Sequence, residues 1–335
     1  MSGIPPRSRM CTPFQALALR FSLSPRALRW ATSSALAMST LIVLGGAVVR
    51  VTGSGLGCPE WPACTTESVA PTAETGLHGT IEFVNRLLTW VLSASVGWVI
   101  LSARLQEAPQ RAVLRSAWLQ FWIVVLNAVL GGVTVWMNLN PYIVAAHFLA
   151  ALLLLTAATV TWEWVRAGED GEPVPPRACT LGRWLMLVSA VVVVLGTLVT
   201  GSGPHAGDSS EVPRMPLNWT GVTVVHGLAA ALLLVLSLLL FRTLQGGGAR
   251  TARRRVGFFV AALLTQVAFG IVQSVTGLPA GLVIVHVFGA ALMWVGAVRV
   301  VLAVAVPPRG AAGAVGGRPI LDAGLGSAAG SIAEK

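Results

Sequence analysis

The sequence predicts an all-α integral membrane protein, with eight transmembrane helices arranged as two tandem pseudo-symmetric four-helix bundles. Three observations indicate this class: few charges, long apolar segments and motifs that recur in the two halves. Of the 335 residues, 55% are hydrophobic and only 11% are charged, whereas a soluble protein carries roughly a quarter charged residues. The net charge of +10 is spread between the apolar segments and forms no single patch, so nucleic acid is excluded as a partner.

Eight apolar segments are long enough to cross a bilayer, and spanning backbone must be helical to satisfy its own hydrogen bonds. In chain order they lie near residues 32–51, 81–102, 116–136, 142–163, 184–200, 219–241, 256–276 and 281–304. Arginines concentrate in the N-terminal tail and in the second, fourth and sixth loops, while the odd-numbered loops hold only Arg50, Arg86 and Arg214. This alternation predicts a multi-pass membrane protein with both termini in the cytoplasm.

These segments divide the chain into five regions. Residues 1–31 are predicted to form a basic cytoplasmic tail, and residues 306–335, rich in Gly, Ala and Pro, a disordered cytoplasmic tail. An N-terminal four-helix bundle is expected over residues 32–165 and a C-terminal one over 184–305, joined by a cytoplasmic linker over 166–183.

Motifs of the first half return in the second. The segment VTGSG at 51–55 recurs at 199–203, and each copy is predicted to close an apolar helix on the outer side. Near the outer end of the last helix of each half, a His follows a Leu by eight residues, which gives His147 and His286 matching positions. Because four spans return the chain to its starting side, the sequence predicts an internal duplication with parallel topology.

Three histidines lie one to two turns inside the outer ends of predicted helices 4, 6 and 8. They are His147, His226 and His286. A polar, ionisable side chain at membrane depth is costly and indicates function. Heme iron is favoured as the group they bind, because His is its usual ligand and helical bundles house such cofactors, whereas zinc requires four close ligands. His226 and His286 are predicted to be axial ligands of one heme iron, and His147 to ligate a second.

The ligand opposite His147 is left open between two residues of helix 2. Asn85 lies nearly as far from the cytoplasmic end of its helix as His226 does, so depth favours Asn85, although an amide is a poor iron ligand. Loop length favours His78, because His78 and His226 follow the last Gly of their VTGSG motifs at the same spacing in sequence.

Glu82 is an acidic residue well inside the outer half of a span, one helical turn from both His78 and Asn85 and on the same face. Two interpretations stay open: an ion pair with Arg86, or a catalytic carboxylate that relays protons beside an iron-bound substrate. Glu163 lies at a cytoplasmic helix end and is interpreted as a solvated flank.

Cys58 and Cys64 lie in the first outer loop, on the oxidising side of the membrane, where a disulfide is expected. A structural cross-link is favoured over a redox-active pair, because no neighbouring residue is suited to activate a thiolate. Cys11 and Cys179 face the cytoplasm and are predicted to be free thiols.

Several of these motifs resemble the heme A synthase family. The stretch GGAVVRVTGSGLGCPEWPAC at 45–64 resembles the first outer loop of that family, and EFVNR at 82–86, TGSGPHAGD at 200–208 and the three histidines are similar to it. The resemblance covers about residues 32–304. It implies a heme-dependent oxidoreductase of the cytoplasmic (plasma) membrane. This enzyme would oxidise a ring methyl group of heme O to a formyl group by successive hydroxylations, giving heme A for terminal oxidase assembly.

The resemblance also implies roles for individual residues. His226 and His286 would hold a heme b cofactor, while the N-terminal half would receive heme O and Glu82 would be catalytic. The residues expected around the substrate heme are His147, His78, Asn85 and Arg86. Members of the family often have His where this chain has Asn85. His205, in the third outer loop, is expected to be solvated or to contact a heme propionate.

The expected partners are the heme O substrate, heme O synthase, cytochrome oxidase assembly factors, an electron donor and membrane lipid, and a homo-oligomer is left open. The alternative function is a non-enzymatic membrane di-heme electron carrier, which would need two bis-histidine hemes; Asn85 and the isolated Glu82 argue against it. A transporter is a further rival, but no span shows a clear break by Gly and Pro of the kind that lines a substrate path in such folds.

Overall fold

A computed structural model of the chain describes residues 21–166, 172–205, 207–246 and 248–305. Residues 1–20 of the predicted basic tail with Cys11, residues 167–171 of the linker and the predicted disordered tail over 306–335 lie outside the described residues. Eight helices occupy the described part: α1 (Pro25–Val51), α2 (Gly76–Arg104), α3 (Arg111–Trp136), α4 (Pro141–Arg166), α5 (Pro176–Ser202), α6 (Trp219–Thr243), α7 (Arg250–Val275) and α8 (Ala280–Ala305). Each is long and apolar enough to cross a membrane, which confirms the predicted multi-pass all-α class.

Every helix is longer than the apolar segment that predicted it. In most of them, polar and basic residues continue the helix beyond the apolar stretch. The largest extensions are at the start of α1 and α5, where Pro occupies the first turn. Side chains also cap two helices: Ser24 Oγ accepts from the Ala27 N–H at 3.3 Å, and Asn218 Oδ1 accepts from the Gly221 N–H at 2.8 Å.

The helices form two closed rings of four. Within each half, every helix packs against the next, and the first helix also packs against the fourth. Contacts of α1 and α4 with α8, and of α4 with α5, join the two rings. Trp294 of α8 belongs to this interface, since its Nε1 donates to Thr156 Oγ1 at 2.8 Å and to the Leu152 carbonyl at 3.1 Å. The tandem four-helix arrangement predicted from the motifs is therefore confirmed.

We call the face at which α1, α3, α5 and α7 end the outer face, and the opposite, arginine-rich face the inner face. At the outer face the two VTGSG copies differ in structure. The first copy lies beyond α1, which ends at Val51, and Gly53 has a left-handed φ of 67°. The second copy is helical as far as Ser202. Each copy closes its helix at the outer face, as predicted, but α1 ends at the first residue of its copy, whereas α5 continues to Ser202 and is capped by Gly203.

The two copies instead lie close to one another. The Gly55 N–H donates to the Gly207 carbonyl at 2.8 Å, and Arg50 Nη2 donates to the Thr200 carbonyl at 2.7 Å. Asp208 accepts from the Leu56 N–H at 3.1 Å. These bonds join the end of α1 to the α5–α6 connection and fix the two bundles to each other at the outer face.

At the inner face the bundles are joined by ion pairs of Glu163. This residue, near the end of α4, is only 8% exposed. Its Oε2 accepts from Arg255 Nη2 at 2.7 Å, and its Oε1 accepts from Arg299 Nε at 2.6 Å. The interpretation of Glu163 as a solvated flank is wrong, because the last turns of α4 pack against the second bundle, and two arginines from that bundle compensate the carboxylate.

Candidate functional site

Three histidines lie at a common level inside the outer face. His147 and His286 lie equally far before Arg166 and Ala305, the last residues of α4 and α8, and His226 lies slightly nearer to the end of α6. In all three helices this distance is about five turns. All three side chains are half-buried.

Each of these imidazoles faces a glycine on the helix that precedes it in the chain. A Cβ atom added to that glycine would lie 3.3–3.4 Å from the ring Cε1, and the pairs are Gly131 with His147, Gly196 with His226 and Gly270 with His286. The absence of a side chain on the facing helix therefore sets where each ring lies. The pairing of each ring with a glycine on the facing helix emerges only from the packing.

The hydrogen bond of His226 determines which nitrogen is free. Its Nδ1 lies 3.0 Å from the carbonyl oxygen of Val192, one turn before Gly196. A carbonyl only accepts, so Nδ1 donates and Nε2 keeps the lone pair that a metal ligand needs. The backbone of Asn127, one turn before Gly131, faces His147 in the same way, although this pair falls short of a hydrogen bond.

The structure brings His226 and His286 together. The two rings are near enough to interact electrostatically, and Nδ1 of His286 is buried with no hydrogen-bond partner. Within the described residues, no cluster of three or more His, Cys, Asp or Glu side chains is arranged to hold a metal ion. His226 and His286 are therefore a candidate pair of ligands, and a heme iron takes its protein ligands singly or in pairs.

Asn85 lies at the level of the histidines. It lies as far before Arg104, the last residue of α2, as His147 and His286 lie before the ends of their own helices. It also faces a glycine of the preceding helix, because a Cβ atom on Gly45 would overlap Asn85 Oδ1. That oxygen is buried and accepts no hydrogen bond.

His78 lies elsewhere. It is in the first turn of α2 and exposed, and its Nδ1 is hydrogen-bonded to Ser54 Oγ at 2.9 Å. It precedes Asn85 by two helical turns, which places it about 10 Å further out along the helix. The structure does not bring His78 to the level of His147.

Glu82 is buried beneath the first outer loop, with 6% of its surface exposed. Its Oε1 pairs with Nε of Arg86 at 3.1 Å and with Nη2 of the same guanidinium, and its Oε2 accepts from the Cys58 N–H at 2.7 Å. The ion pair considered from the sequence is thus present. The additional bond to Cys58 could not be foreseen, since it requires the loop to fold back over α2.

Arg86 holds this loop by its carbonyl groups. Its guanidinium donates to the carbonyl oxygens of Cys58 at 3.1 Å, Glu60 at 2.9 Å and Ala63 at 2.9 Å. Cys58 and Cys64 form the expected disulfide around the same segment. Disulfide, guanidinium and carboxylate therefore form one assembly that covers the outer end of the first bundle.

Two further contacts fix the outer loops. The Trp61 ring packs against α3, where it lies edge-on to Trp136 with ring centroids 5.4 Å apart. His205 Nε2 is 3.0 Å from the Leu278 carbonyl and joins the third outer loop to the α7–α8 connection. His205 is therefore not simply solvated, and this carbonyl engages one of its two ring nitrogens.

Fold and site together define a multi-pass membrane protein of two four-helix bundles, with imidazoles placed in the outer half of the spans. The family model described as cytochrome oxidase assembly protein, COX15-CtaA, matches residues 29–298. The chain belongs to this family.

Curated relatives carry one name. The chain is similar to the heme A synthase of Shewanella oneidensis, with 25% identity over 317 residues that cover 79% of this chain and 93% of the relative. It is also similar to the heme A synthase of Listeria monocytogenes serotype 4a, with 26% identity over 266 residues, 74% of this chain and 83% of the relative. The heme A synthase of Lysinibacillus sphaericus is 31% identical over 128 residues, 38% of this chain and 41% of the relative.

Proposed function

We propose that this chain is a heme A synthase, a membrane-bound oxidoreductase that converts heme O to heme A. The observation that carries the proposal is the set of three imidazoles, each placed against a glycine of a facing helix. Asn85 lies at the level of these imidazoles, and the buried carboxylate of Glu82 lies one helical turn further out. The family and the names of the relatives support the same activity.

The C-terminal bundle is the proposed site of a resident heme b with His226 and His286 as axial ligands. The residues fit such a group: Nε2 of His226 is free to bind iron, and Gly196 and Gly270 leave space beside the rings. Heme b would supply an iron that accepts and passes on single electrons. The protein's part is to hold both imidazoles in place, and the Val192 carbonyl does so for His226 by fixing its tautomer.

The N-terminal bundle is the proposed site of the heme O substrate. His147 would ligate its iron, Asn85 and Arg86 lie at about the same level, and His78 lies further out. Each hydroxylation replaces one C–H bond of the methyl group by C–OH. With dioxygen as the oxidant, two electrons and two protons come from a donor, and the second oxygen atom leaves as water. The second hydroxylation gives a geminal diol, which loses water to leave the formyl group.

Glu82 is the proposed catalytic carboxylate. It lies on the same face of α2 as Asn85, under the loop closed by the disulfide, and one of its oxygens accepts only from the Cys58 N–H. A group so placed can hold or move a proton at Oε2 while Arg86 keeps Oε1 fixed.

The arginine distribution supports the proposal that both termini are cytoplasmic. The resemblance to the heme A synthase family leads us to propose the plasma membrane as the location. The heme sites would then open toward the outer surface. Proposed partners are heme O synthase as the source of substrate, cytochrome oxidase assembly factors as recipients, an electron donor and surrounding lipid. A second copy of the chain would be a further partner if the protein forms a homo-oligomer.

The test is to express the chain with a heme O synthase in a host that makes no heme A, and to identify the extracted hemes by chromatography. Heme A is expected with the wild-type chain and should be lost in Glu82→Gln, which keeps the size of the side chain and its acceptor toward Cys58. Glu60→Gln is the matched control, because Glu60 is an exposed carboxylate of the same loop, and it should leave heme A production intact.

The two contrary outcomes of this test bear on different parts of the proposal. Heme O and heme B without heme A, from well-folded wild-type protein, would overturn the enzyme and favour the di-heme electron carrier. Heme A at the wild-type level in Glu82→Gln would remove Glu82 from catalysis and leave the enzyme assignment standing.

A further inference from the structure

One structural unit occurs four times in the described chain. Each unit is a hairpin of two adjacent helices, α1–α2, α3–α4, α5–α6 or α7–α8, in which a glycine of the first helix faces a polar side chain of the second. The four pairs in chain order are Gly45 with Asn85, Gly131 with His147, Gly196 with His226 and Gly270 with His286.

The positions within the units agree closely. The glycines lie about one and a half turns before the ends of their helices, which are Val51, Trp136, Ser202 and Val275. The polar side chains lie about five turns before the ends of theirs, which are Arg104, Arg166, Thr243 and Ala305. The spread in depth within either set is at most about 3 Å, from the rise per residue of a helix. The four hairpins therefore present one side chain each at the same level.

Three of the four side chains are imidazoles and the first is an amide. In the second bundle the repeat supplies two histidines, His226 and His286, whose rings are near enough to interact electrostatically. In the first bundle the same positions hold Asn85 and His147. An amide has no nitrogen lone pair to offer iron, because its nitrogen carries two hydrogens and is conjugated with the carbonyl.

Resting on the proposed function, we infer that the substrate heme of this chain has a single histidine ligand, His147, and that Asn85 leaves its opposite face open to a small external ligand. Asn85 is then a positioning residue, whose buried, unpaired Oδ1 lies against Gly45 of α1. The two bundles would differ in coordination: both axial positions filled by the protein in the second, one in the first.

His78 is not a substitute for the missing imidazole. Its Nδ1 is engaged by Ser54 Oγ at 2.9 Å, and its backbone packs so closely on Gly57 that a Cβ atom there would overlap it. To reach the level of His147, the first two turns of α2 would have to leave the outer loop, whose Cys58 is bonded to Glu82 of the same helix.

Carbon monoxide is a suitable probe, because it binds ferrous heme that has a free axial position and does not displace the second histidine of a tight bis-histidine site. The protein is purified without oxygen from cells that supply heme O, reduced, and titrated with carbon monoxide while the Soret band is recorded. The wild type is expected to bind about one carbon monoxide for every two hemes. Asn85→His should bind none with its heme content unchanged, since the imidazole closes the site.

The reciprocal variant is His286→Asn, which should convert the second bundle and raise binding to about one carbon monoxide per heme. His78→Ala tests the rival ligand: carbon monoxide binding equal to that of the wild type is expected, and a gain in binding would show that His78 occupies the iron. A fully loaded wild type that binds no carbon monoxide, or an Asn85→His protein that still binds it, would overturn the inference. If Asn85→His fails to retain heme, the wild-type titration decides alone, and Asn85→Ala, which keeps the site open, must bind as the wild type does.

Failure of the inference is distinguishable from failure of the enzyme. Heme A production without a carbon monoxide site would refute the open face and leave the activity intact. A carbon monoxide site without heme A production would leave the coordination correct and the proposed enzyme wrong.

Discussion

Replacing Glu163 by Gln should weaken the joint between the two bundles. The carboxylate lies between Arg255 of α7 and Arg299 of α8 at 2.7 and 2.6 Å, and only 10% of its side chain is exposed. A neutral amide can keep one of the two contacts, but it leaves two guanidinium charges side by side without a counterion. Removing one partner of a buried ion pair costs more than the pair contributed, because the remaining charge stays desolvated.

The expected loss is about 2–3 kcal/mol of unfolding free energy, which is less than the 3–5 kcal/mol typical of a fully buried pair. The reduction follows from exposure: the side chain of Arg299 is 39% exposed and that of Arg255 is 21% exposed, so water can take up part of the released charge. For a chain of this size such a loss lowers the thermal midpoint by roughly 5 °C.

The measurement is thermal unfolding in one detergent, followed by tryptophan fluorescence. Glu107→Gln serves as the control, because Glu107 is exposed on the same face and makes one long contact of 3.5 Å with Ser22. Its midpoint should stay within about 1 °C of the wild type.

A second variant tests whether the loss of stability comes from the uncompensated arginine charges. Replacing Glu163, Arg255 and Arg299 together by Leu, Met and Met removes all three charges of this cluster. The triple variant should therefore be less destabilised than Glu163→Gln. A midpoint for Glu163→Gln equal to that of the wild type, or a triple variant less stable than the single one, would refute the reasoning.

Two further predictions concern the outer half of the protein. Gly270→Val should displace His286, whose Cε1 would lie 3.3 Å from the new Cβ, and so reduce the heme bound in the C-terminal bundle by pyridine hemochrome assay. The control Gly97→Val, where nothing lies within 4 Å of the new Cβ, should keep its full heme content, and equal heme in both variants would contradict the role of Gly270. Replacing Cys58 and Cys64 together by Ser opens the disulfide loop and should lower the free energy of unfolding by about 2 kcal/mol, measured as a lower thermal midpoint. A reductant should lower the midpoint of the wild type to the same value. An unchanged midpoint in the double variant would show that Arg86 alone holds the loop.

Much of the fold follows from local sequence. A segment in lipid must pair its own backbone groups, so length and hydropathy alone locate α1 to α8, and the spacing of charges orders the loops. The level of His147, His226 and His286 follows as well, because position along a straight helix converts directly into depth.

Other features depended on residues distant in the chain. Glu163 was interpreted as solvated because its partners, Arg255 and Arg299, lie 92 and 136 residues further on. His205 was expected to be solvated or to contact a heme propionate, and one of its ring nitrogens bonds the Leu278 carbonyl, 73 residues further on. The two VTGSG copies are identical in sequence, yet one is a turn and the other the end of a helix, because the loops that follow them differ.

The choice between Asn85 and His78 also depended on packing that the sequence alone does not give. From the sequence, depth supported Asn85 and loop length supported His78, and neither criterion excluded the other. The packing decided between them, since Gly45 faces Asn85 while Ser54 binds His78 at the outer turn.

The sequence by itself determined which segments span the membrane and how deep each polar side chain lies, because both depend only on a helix and its solvent. Only the tertiary structure decided which partner each of those side chains meets, because that depends on how helices far apart in the chain pack against one another.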